Sequence, residues 1–586
     1  MENKKDRQSK EQPQAEQNLV DNVSEGADQA EEIEGKDFSR RTFIRGAAAG
    51  ALGIATMGVL GTYFSGQASA EADATSTSAN GAAGTGVSGK PSFMTPPAPI
   101  PASKIVKTVD TEVLVLGAGF SGVATACSAA ERGLKVTVVE KSSRWNGRGG
   151  GAGVTDSKLM RKMGLKIDKS KAQGQWVRTC GSRVDESLVS LYFNRSGEAM
   201  DWLLNKAEAD SCHISIWGGY SKSDLYPDEP GYHMIFGGKH IKEGDFAPVA
   251  LLYNDSVKAG VNYVFNAPAQ QLVKEGNKVV GAIVKTADGY VRYNASKGVV
   301  IATGDIAADP EMVHYYAPIA EKAVESQYTP KGVNTGDGHK MGLWAGVAMQ
   351  EGPFPTMIHP QAYAWFHGPF MFVNKDGKRF FNEATWVQAK SLNIMKQKSG
   401  NVAYSIFDAN WLTDLVKGLP KGGGMFWDSF RAVGAEFDTK AQQETIDGYI
   451  KQGLAFKANT LEELADKIGV DKKNFLAEVN HYNQMCAAGE DKDYHKPKIF
   501  LTPVQKGPFY ATKVGPALLQ ICGGLSINSD LQCLDAEQRP IEGLYAVGSA
   551  SGNSNAVDYP INMPGNSHGR CLTYGYVLGE KLAARK

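Results

Sequence analysis

The chain has seven cysteines, Cys127, Cys180, Cys212, Cys486, Cys522, Cys533 and Cys571, and none of them forms a CxxC or CxxCH pair. This lack argues against a c-type haem and a cysteine-cluster metal centre, so no metal site is expected. The odd, scattered set also argues against a complete disulfide framework, and most of these thiols read as small buried apolar residues. No charge surplus exists either, with 63 Lys plus Arg against 63 Asp plus Glu. Without a basic excess, and without zinc-finger or helix-turn-helix spacing, nothing points to nucleic acid. What the chain does have is length: 586 residues, enough for two or three domains with sizeable cores.

The first hundred residues read as an address. Residues 1–36 are polar, charged and poor in aromatics, a composition that does not fold alone. Ser39-Arg40-Arg41-Thr42-Phe43-Ile44-Arg45 precedes a weakly apolar, Gly/Ala-rich stretch from Gly46 to Phe64, which runs on to Ala68-Ser-Ala70. Paired arginines, a modestly hydrophobic segment and an A-x-A site resemble a twin-arginine signal, ending near residue 70. A single membrane anchor is the alternative reading, disfavoured by the weak membrane preference of Gly and Ala. The expected partner is the twin-arginine export machinery, and the expected location is the periplasm or the outer face of the cell envelope. Residues 71–105, rich in Ala, Ser, Gly and then Pro, read as a flexible tether before a body that starts near Val106.

The densest signal is Val113-Leu-Val-Leu-Gly117-Ala118-Gly119-Phe-Ser121-Gly122, a buried strand, a glycine turn and a helix start. A second strand, Lys135 to Glu140, follows at the spacing of one βαβ unit. Gly117 permits the turn, Gly119 lets backbone approach a pyrophosphate, and Gly122 lets helix and strand pack closely. Free N–H groups and the helix dipole favour phosphate there. Glu140, at the end of the second strand, is placed to accept hydrogen bonds from ribose hydroxyls. A second glycine run, Gly147-Arg-Gly149-Gly150-Gly151-Ala-Gly153, allows another close backbone approach. Strands are expected at 261–266, 279–284 (entered through a turn at Gly276-Asn277), 299–304 and 543–548, with a helix from Pro564 to Ala584.

These segments, in this order, resemble the FAD-dependent succinate dehydrogenase/fumarate reductase flavoproteins, a family that includes urocanate reductases, flavocytochrome c fumarate reductases and 3-ketosteroid dehydrogenases. Asn334-Thr-Gly-Asp337-Gly338, His359-Pro360, Gly377 to Glu383, Leu461-Glu-Glu-Leu-Ala, His481-Tyr-Asn483, Pro508 to Ala511 and Gly523-Gly-Leu525 extend the likeness to the C-terminus. The resemblance implies an α/β fold. A discontinuous Rossmann-like FAD-binding domain (106–355 and 500–586) would carry an inserted α+β capping domain (356–499) that closes over the flavin. It assigns Lys141, Ala269, Thr303, Gly304, Asp337, Gly548, Ser549 and Ser567 to the cofactor as well. Ser549 stands where relatives carry an acid. No histidine lies between Lys141 and Asp156, where some relatives attach FAD covalently, so noncovalent FAD is expected.

The departures from the family speak to substrate. His359 matches a fumarate reductase site histidine. The relay Glu and Arg fall at Tyr363 and Phe366, the proton-donating arginine at Val387, another histidine at Gln520, and a carboxylate-clamping arginine near Asn562. A dicarboxylate needs paired cations to offset its lost hydration. Their loss implies a less charged, more aromatic pocket, with Tyr363, Trp365, His367 and Trp386 as its wall. Tyr559 is the expected proton donor. Arg570, Gly565 and His568 would hold a developing enolate or a carbonyl, by analogy with ketosteroid dehydrogenases. The expected reaction is reduction of an activated C=C bond (enoate, enone or aryl-acrylate), not of fumarate, in anaerobic respiration. A separate cytochrome or flavin-carrying protein would donate the electrons. A flavin dehydrogenase of a steroid-like ketone and a noncatalytic electron shuttle are the alternatives.

Overall fold

The computed structural model describes residues 90–224, 226–366, 368–398, 400–421 and 432–585. Residues 1–89, which carry the expected export signal and most of the expected tether, lie outside the described residues. Where description begins, the tether is already part of the body. Phe93 is buried among Tyr315 and Tyr316, and its carbonyl accepts from Trp344 Nε1 at 2.9 Å. Gln271 pairs with the backbone of Ala98 and Ile100. The expectation of a free linker up to residue 105 is therefore corrected for residues 93–100, which Phe93 and the backbone of Ala98 and Ile100 hold to the body.

The main sheet is built on β1 (Ile105–Leu116), followed by α1 (Phe120–Ala130), β2 (Val136–Val139) and β3 (Asn262–Val264). Two later strands, β4 (Gly289–Ile301) and β5 (Pro540–Ala546), complete its parallel part in the order β5-β4-β1-β2-β3. Val113 to Leu116 are fully buried, as a parallel strand covered on both faces requires. Each such side chain contributes about 1.5–3 kcal/mol through burial. The hairpin Ala269–Glu275/Lys278–Thr286 turns at Gly276 and adds antiparallel strands on β4. The C-terminal strand β5 thus sits in the same sheet as the N-terminal βαβ unit, and the domain is closed by distant segments.

Its last helix, α2 (Asn566–Ala584), lies on α1. Gly575 and Gly579 make this approach possible. A Cβ at Gly575 would stand 2.7 Å from that of Ala124, and one at Gly579 2.5 Å from Ser128 Oγ. Close packing of these two helices carries the N-terminus of α2 to the glycine turn after β1.

The insert has its own antiparallel sheet, in the order Met371–Val373, Ala403–Phe407, Phe509–Val514, Ala455–Ala458. Helices Leu461–Ile468 and Lys472–Ala488 cover it, with Phe475, Val479 and Tyr482 in its core. Strand Phe509–Val514 was expected to mark the return to the main domain, yet it pairs inside this sheet. A third small sheet joins the two parts: Thr356–His359 runs antiparallel to Ala517–Ile521, which also pairs with Glu325–Ser326.

Candidate active site

A cavity of about 1100 Å³ opens where β1 and α1 meet. Gly117, Gly119, Ser121, Glu140, Lys141, Gly147, Ala269, Thr303, Gly304, Asp337, Ser549 and Ser567 all line it. Gly117 has φ 106°, a left-handed value, and a Cβ there would stand 2.5 Å from Ala302 O. Gly119 caps α1 without a side chain, and nothing of the protein lies within 4 Å of where its Cβ would be. The first-turn N–H groups are therefore left to a ligand. Glu140 accepts from Ala118 N and Ser142 N, each at 2.8 Å, which fixes its carboxylate at the cavity edge. Lys141 pairs with Asp337 at 2.8 Å.

Three of the expected cofactor residues, Ala118, Gly122 and Gly548, do not line this cavity. Ala118 is buried away from the cavity, its N–H turned to Glu140. Gly122 packs helix on strand, since a Cβ there would overlap Gly117 O. Gly548 packs on Ser121, also away from the lining.

A second cavity, of about 770 Å³, adjoins the first. Arg148, Gln520, Ser567 and His568 line both. The run Gly149-Gly150-Gly151 lines the second cavity, not the first. Gly149 (φ 114°) lies so close to His568 that a Cβ would collide with the ring. His359, Trp365, Tyr559 and Gly565 also line it, with Tyr232, Met357 and Ile561. Tyr559 is 1% exposed, and its oxygen accepts from Ser567 N at 3.2 Å. Burial raises its phenol well above the usual range. His568 lies beside Phe120 and Phe246 and donates through Nδ1 to Gly151 O at 2.9 Å. Burial pulls His568 and His359 down to about 4, so both are neutral at pH 7.

Three expected site residues, Tyr363, Asn562 and Arg570, do not line either cavity. Tyr363 lies under the Lys513 ammonium, 3.8 Å from its ring centroid, outside the cavity. Asn562 is buried and donates to Ala172 O at 3.1 Å. Arg570 is 1% exposed, away from both cavities. Its guanidinium donates to Ser554 Oγ, and its Nε and one Nη have no partner among the described residues. His367 lies outside the described residues. Of the expected aromatic wall, Trp365 faces the cavity, and Trp386 packs with Val387 behind Tyr559.

Sequence reasoning missed Arg148. Its guanidinium donates to Gln327 O at 2.9 Å and to Leu519 O, and lies 4.6 Å from the Tyr328 ring centroid. It stands inside a glycine run whose evident meaning is close backbone approach. A long cation between glycines on both sides was the available signal.

Residues 112–560 match the family model described as an FAD binding domain. The chain belongs to this family. It is a flavoprotein of the succinate dehydrogenase/fumarate reductase type, an FAD-dependent oxidoreductase. Over 81% of its length it is 24% identical to the NADH:fumarate oxidoreductase of Klebsiella pneumoniae (strain 342), of which it spans 48%, about half. It is 27% identical to a fumarate reductase (cytochrome) of Shewanella frigidimarina, over 81% of this chain and 77% of that one. A vinyl phenol reductase of Lactiplantibacillus plantarum is 25% identical, over 80% and 94% respectively. Among solved structures, the 3-ketosteroid-Δ4-(5α)-dehydrogenase of Rhodococcus jostii RHA1 superposes with a TM-score of 0.62, at 21% identity, covering 83% of this chain and 99% of that one. This likeness confirms the Rossmann-like α/β fold. The first cavity fits FAD: it offers an uncapped helix N-terminus for phosphate and a fixed carboxylate for a ribose.

Proposed function

We propose that this FAD-dependent oxidoreductase reduces an activated C=C bond in an enoate, enone or aryl-acrylate. The observation that carries the reading is the shared wall: the first cavity continues, through Arg148, Gln520, Ser567 and His568, into a second cavity lined by Tyr559. The relatives named above include reductases of fumarate and of a vinyl phenol, which supports C=C reduction as the chemistry.

Bound FAD supplies the hydride. The protein holds the substrate between Trp365, Tyr232, Met357 and Ile561, whose apolar surfaces exclude water. Tyr559 delivers a proton from its phenol oxygen, and the first turn of α2 faces the charge that develops on the substrate. Fumarate is disfavoured. Arg148 is the only cation lining the second cavity among the described residues, and the two histidines there are neutral. A dianion would be only half compensated.

FAD is held noncovalently in this reading, since no histidine lies in the 141–156 stretch. The paired arginines at 40–41 support export by the twin-arginine route to the periplasm or cell-envelope face. A separate cytochrome or flavin-carrying protein then brings electrons, as in anaerobic respiration. A second reading is a ketosteroid-type dehydrogenase, favoured by Tyr559 and Gly565 lining one cavity together.

The test is oxidation of reduced viologen by the FAD-loaded protein with a panel of unsaturated acids, enones and vinyl arenes. Saturated ketones with an artificial acceptor form the opposing arm. Turnover confined to the ketones, or absent from both arms, would overturn the proposal.

A further inference from the structure

Arg148 carries a positive charge that the protein does not neutralise. Its two terminal nitrogens donate to the uncharged carbonyls of Gln327 and Leu519, and its face rests on the uncharged ring of Tyr328. Among the described residues no carboxylate forms an ion pair with it. The neighbouring acid is Asp305, which is fully buried. Its carboxylate is committed to the Asn334 amide and the N–H groups of Ala307 and Ile521. The other titratable group on the wall, His568, is neutral at pH 7 and turned to Gly151. A guanidinium held this way is rigid, and a half-buried charge with no carboxylate in ion-pair contact is left poorly compensated. Such a group is stabilised when an anion enters beside it.

Three anions are chemically available: the FAD pyrophosphate, a substrate carboxylate and the reduced flavin ring. The pyrophosphate already has a place at the uncapped start of α1. The ring has to reach a place that both cavities share if hydride is to pass from one to the other, and Arg148 lines that place.

We propose that Arg148 is the counter-charge of the reduced cofactor and sets its potential. Uptake of two electrons and one proton converts the neutral oxidised isoalloxazine to a monoanion, with the electrons coming from the separate donor protein. The guanidinium stabilises that anion over the neutral oxidised ring and so raises the potential. This inference rests on the first cavity being the FAD site, and it makes the flavin easier to reduce by a donor of modest potential.

The experiment measures two quantities on the full chain: the flavin potential, by equilibrium dye titration, and the dissociation constants of oxidised and reduced FAD. Arg148→Lys, which keeps the charge, and Arg148→Gln, which keeps donors for the two carbonyls without it, are compared with wild type. Arg148→Gln is expected to weaken reduced FAD at least tenfold more than oxidised FAD, and each tenfold corresponds to a fall of about 30 mV. Arg148→Lys is expected to retain most of the wild-type potential. Equal weakening of both redox states would assign the charge to the pyrophosphate and overturn the proposal. An unshifted potential with impaired turnover of acidic substrates alone would assign it to a carboxylate and overturn the proposal as well. A wild-type protein that takes up no FAD would instead sink the reading of the cavity itself. If Arg148→Gln fails to fold, an Arg148→Lys potential displaced as far as that of Arg148→Met overturns the role of charge.

Discussion

The backbone N–H of Ser567, in the first turn of α2, donates to the phenol oxygen of Tyr559 at 3.2 Å. Ser567 Oγ in turn donates to Gln520 Oε1, and Gln520 Nε2 donates to Ser549 Oγ at 2.7 Å. A phenol has one proton to give and room to accept. With its oxygen fixed from α2, Tyr559 keeps that proton for the cavity it lines.

Tyr559→Phe is therefore expected to fold, to bind FAD as wild type does and to lose about 10²–10⁴-fold in turnover with the best substrate of the panel. The comparison is kcat at saturating substrate alongside the flavin absorbance. Unchanged kcat would remove Tyr559 from proton delivery.

Glu140→Gln should damage cofactor binding and stability together. The carboxylate accepts two backbone N–H groups, and an amide NH2 must face one of them. The expected cost is about 1–3 kcal/mol in the apo protein, read by denaturant titration, with at least tenfold weaker FAD binding. Retention of both would detach Glu140 from the loop it is argued to hold.

His233 offers a pH test. Its Nδ1 donates to Gly231 O at 2.8 Å, and its Nε2 accepts from Ser157 Oγ at 2.7 Å. Burial lowers it to about 4 from an ordinary 6.5. The unfolded chain thus binds a proton that the fold refuses, so stability is lost as pH falls from 6.5 towards 4. The slope from one such group is about 1.4 kcal/mol per pH unit. Denaturant titrations across that window should show His233→Gln less pH-dependent than wild type by this amount. Parallel curves would mean that the imidazole protonates in the folded state.

In the insert, Arg379 donates to both oxygens of Glu383 and to Asp491 at 2.9 Å, with Lys496 3.3 Å from Glu383. All four side chains of these ion pairs are fully buried. Arg379→Met should cost about 3–5 kcal/mol, because it leaves Asp491 without its guanidinium and Glu383 with Lys496 alone. Arg379 also helps hold Asp491 at about 2, below its ordinary 3.8. That support is present above 3.8 and lost as pH falls towards 2. Acid unfolding of Arg379→Met should accordingly begin at higher pH, followed by circular dichroism.

The βαβ unit was legible because its parts constrain one another locally: an apolar run, a positive-φ glycine, a helix start and a second apolar run. That unit alone pointed to Gly117, Gly119 and Glu140; Lys141, Ala269, Thr303, Gly304, Asp337, Ser549 and Ser567 came from the family resemblance. Misplacements arose where a neighbour in the chain pointed the other way. Ala118 and Gly122 alternate with Gly117, Gly119 and Ser121, and backbone direction alone separates packing from lining. Arg570 and Asn562 stand close to Tyr559 in sequence, but α2 and the turn before it direct them into the interior. Tyr363 has a suitable place in the insert, yet Lys513, far along the chain, captures its ring. Such long-range partners leave no trace in local pattern. The end of the insert was misjudged for the same reason, since strand Phe509–Val514 is defined by partners about a hundred and about fifty residues earlier.

The chain leaves the main domain along Thr356–His359 and returns along Ala517–Ile521, and these two passages are hydrogen-bonded to each other. The pairing continues beyond them, with Ala362 N on Gly515 O at 3.0 Å and Ala364 N on Lys513 O at 2.9 Å. Insert and main domain are thus joined by one paired connection, and Ala517–Ile521 is held on its other side by Glu325–Ser326. The same connection supplies Met357, His359, Gln361, Leu519 and Gln520 to the second cavity. Any displacement of this connection would therefore move five lining residues of the second cavity at once.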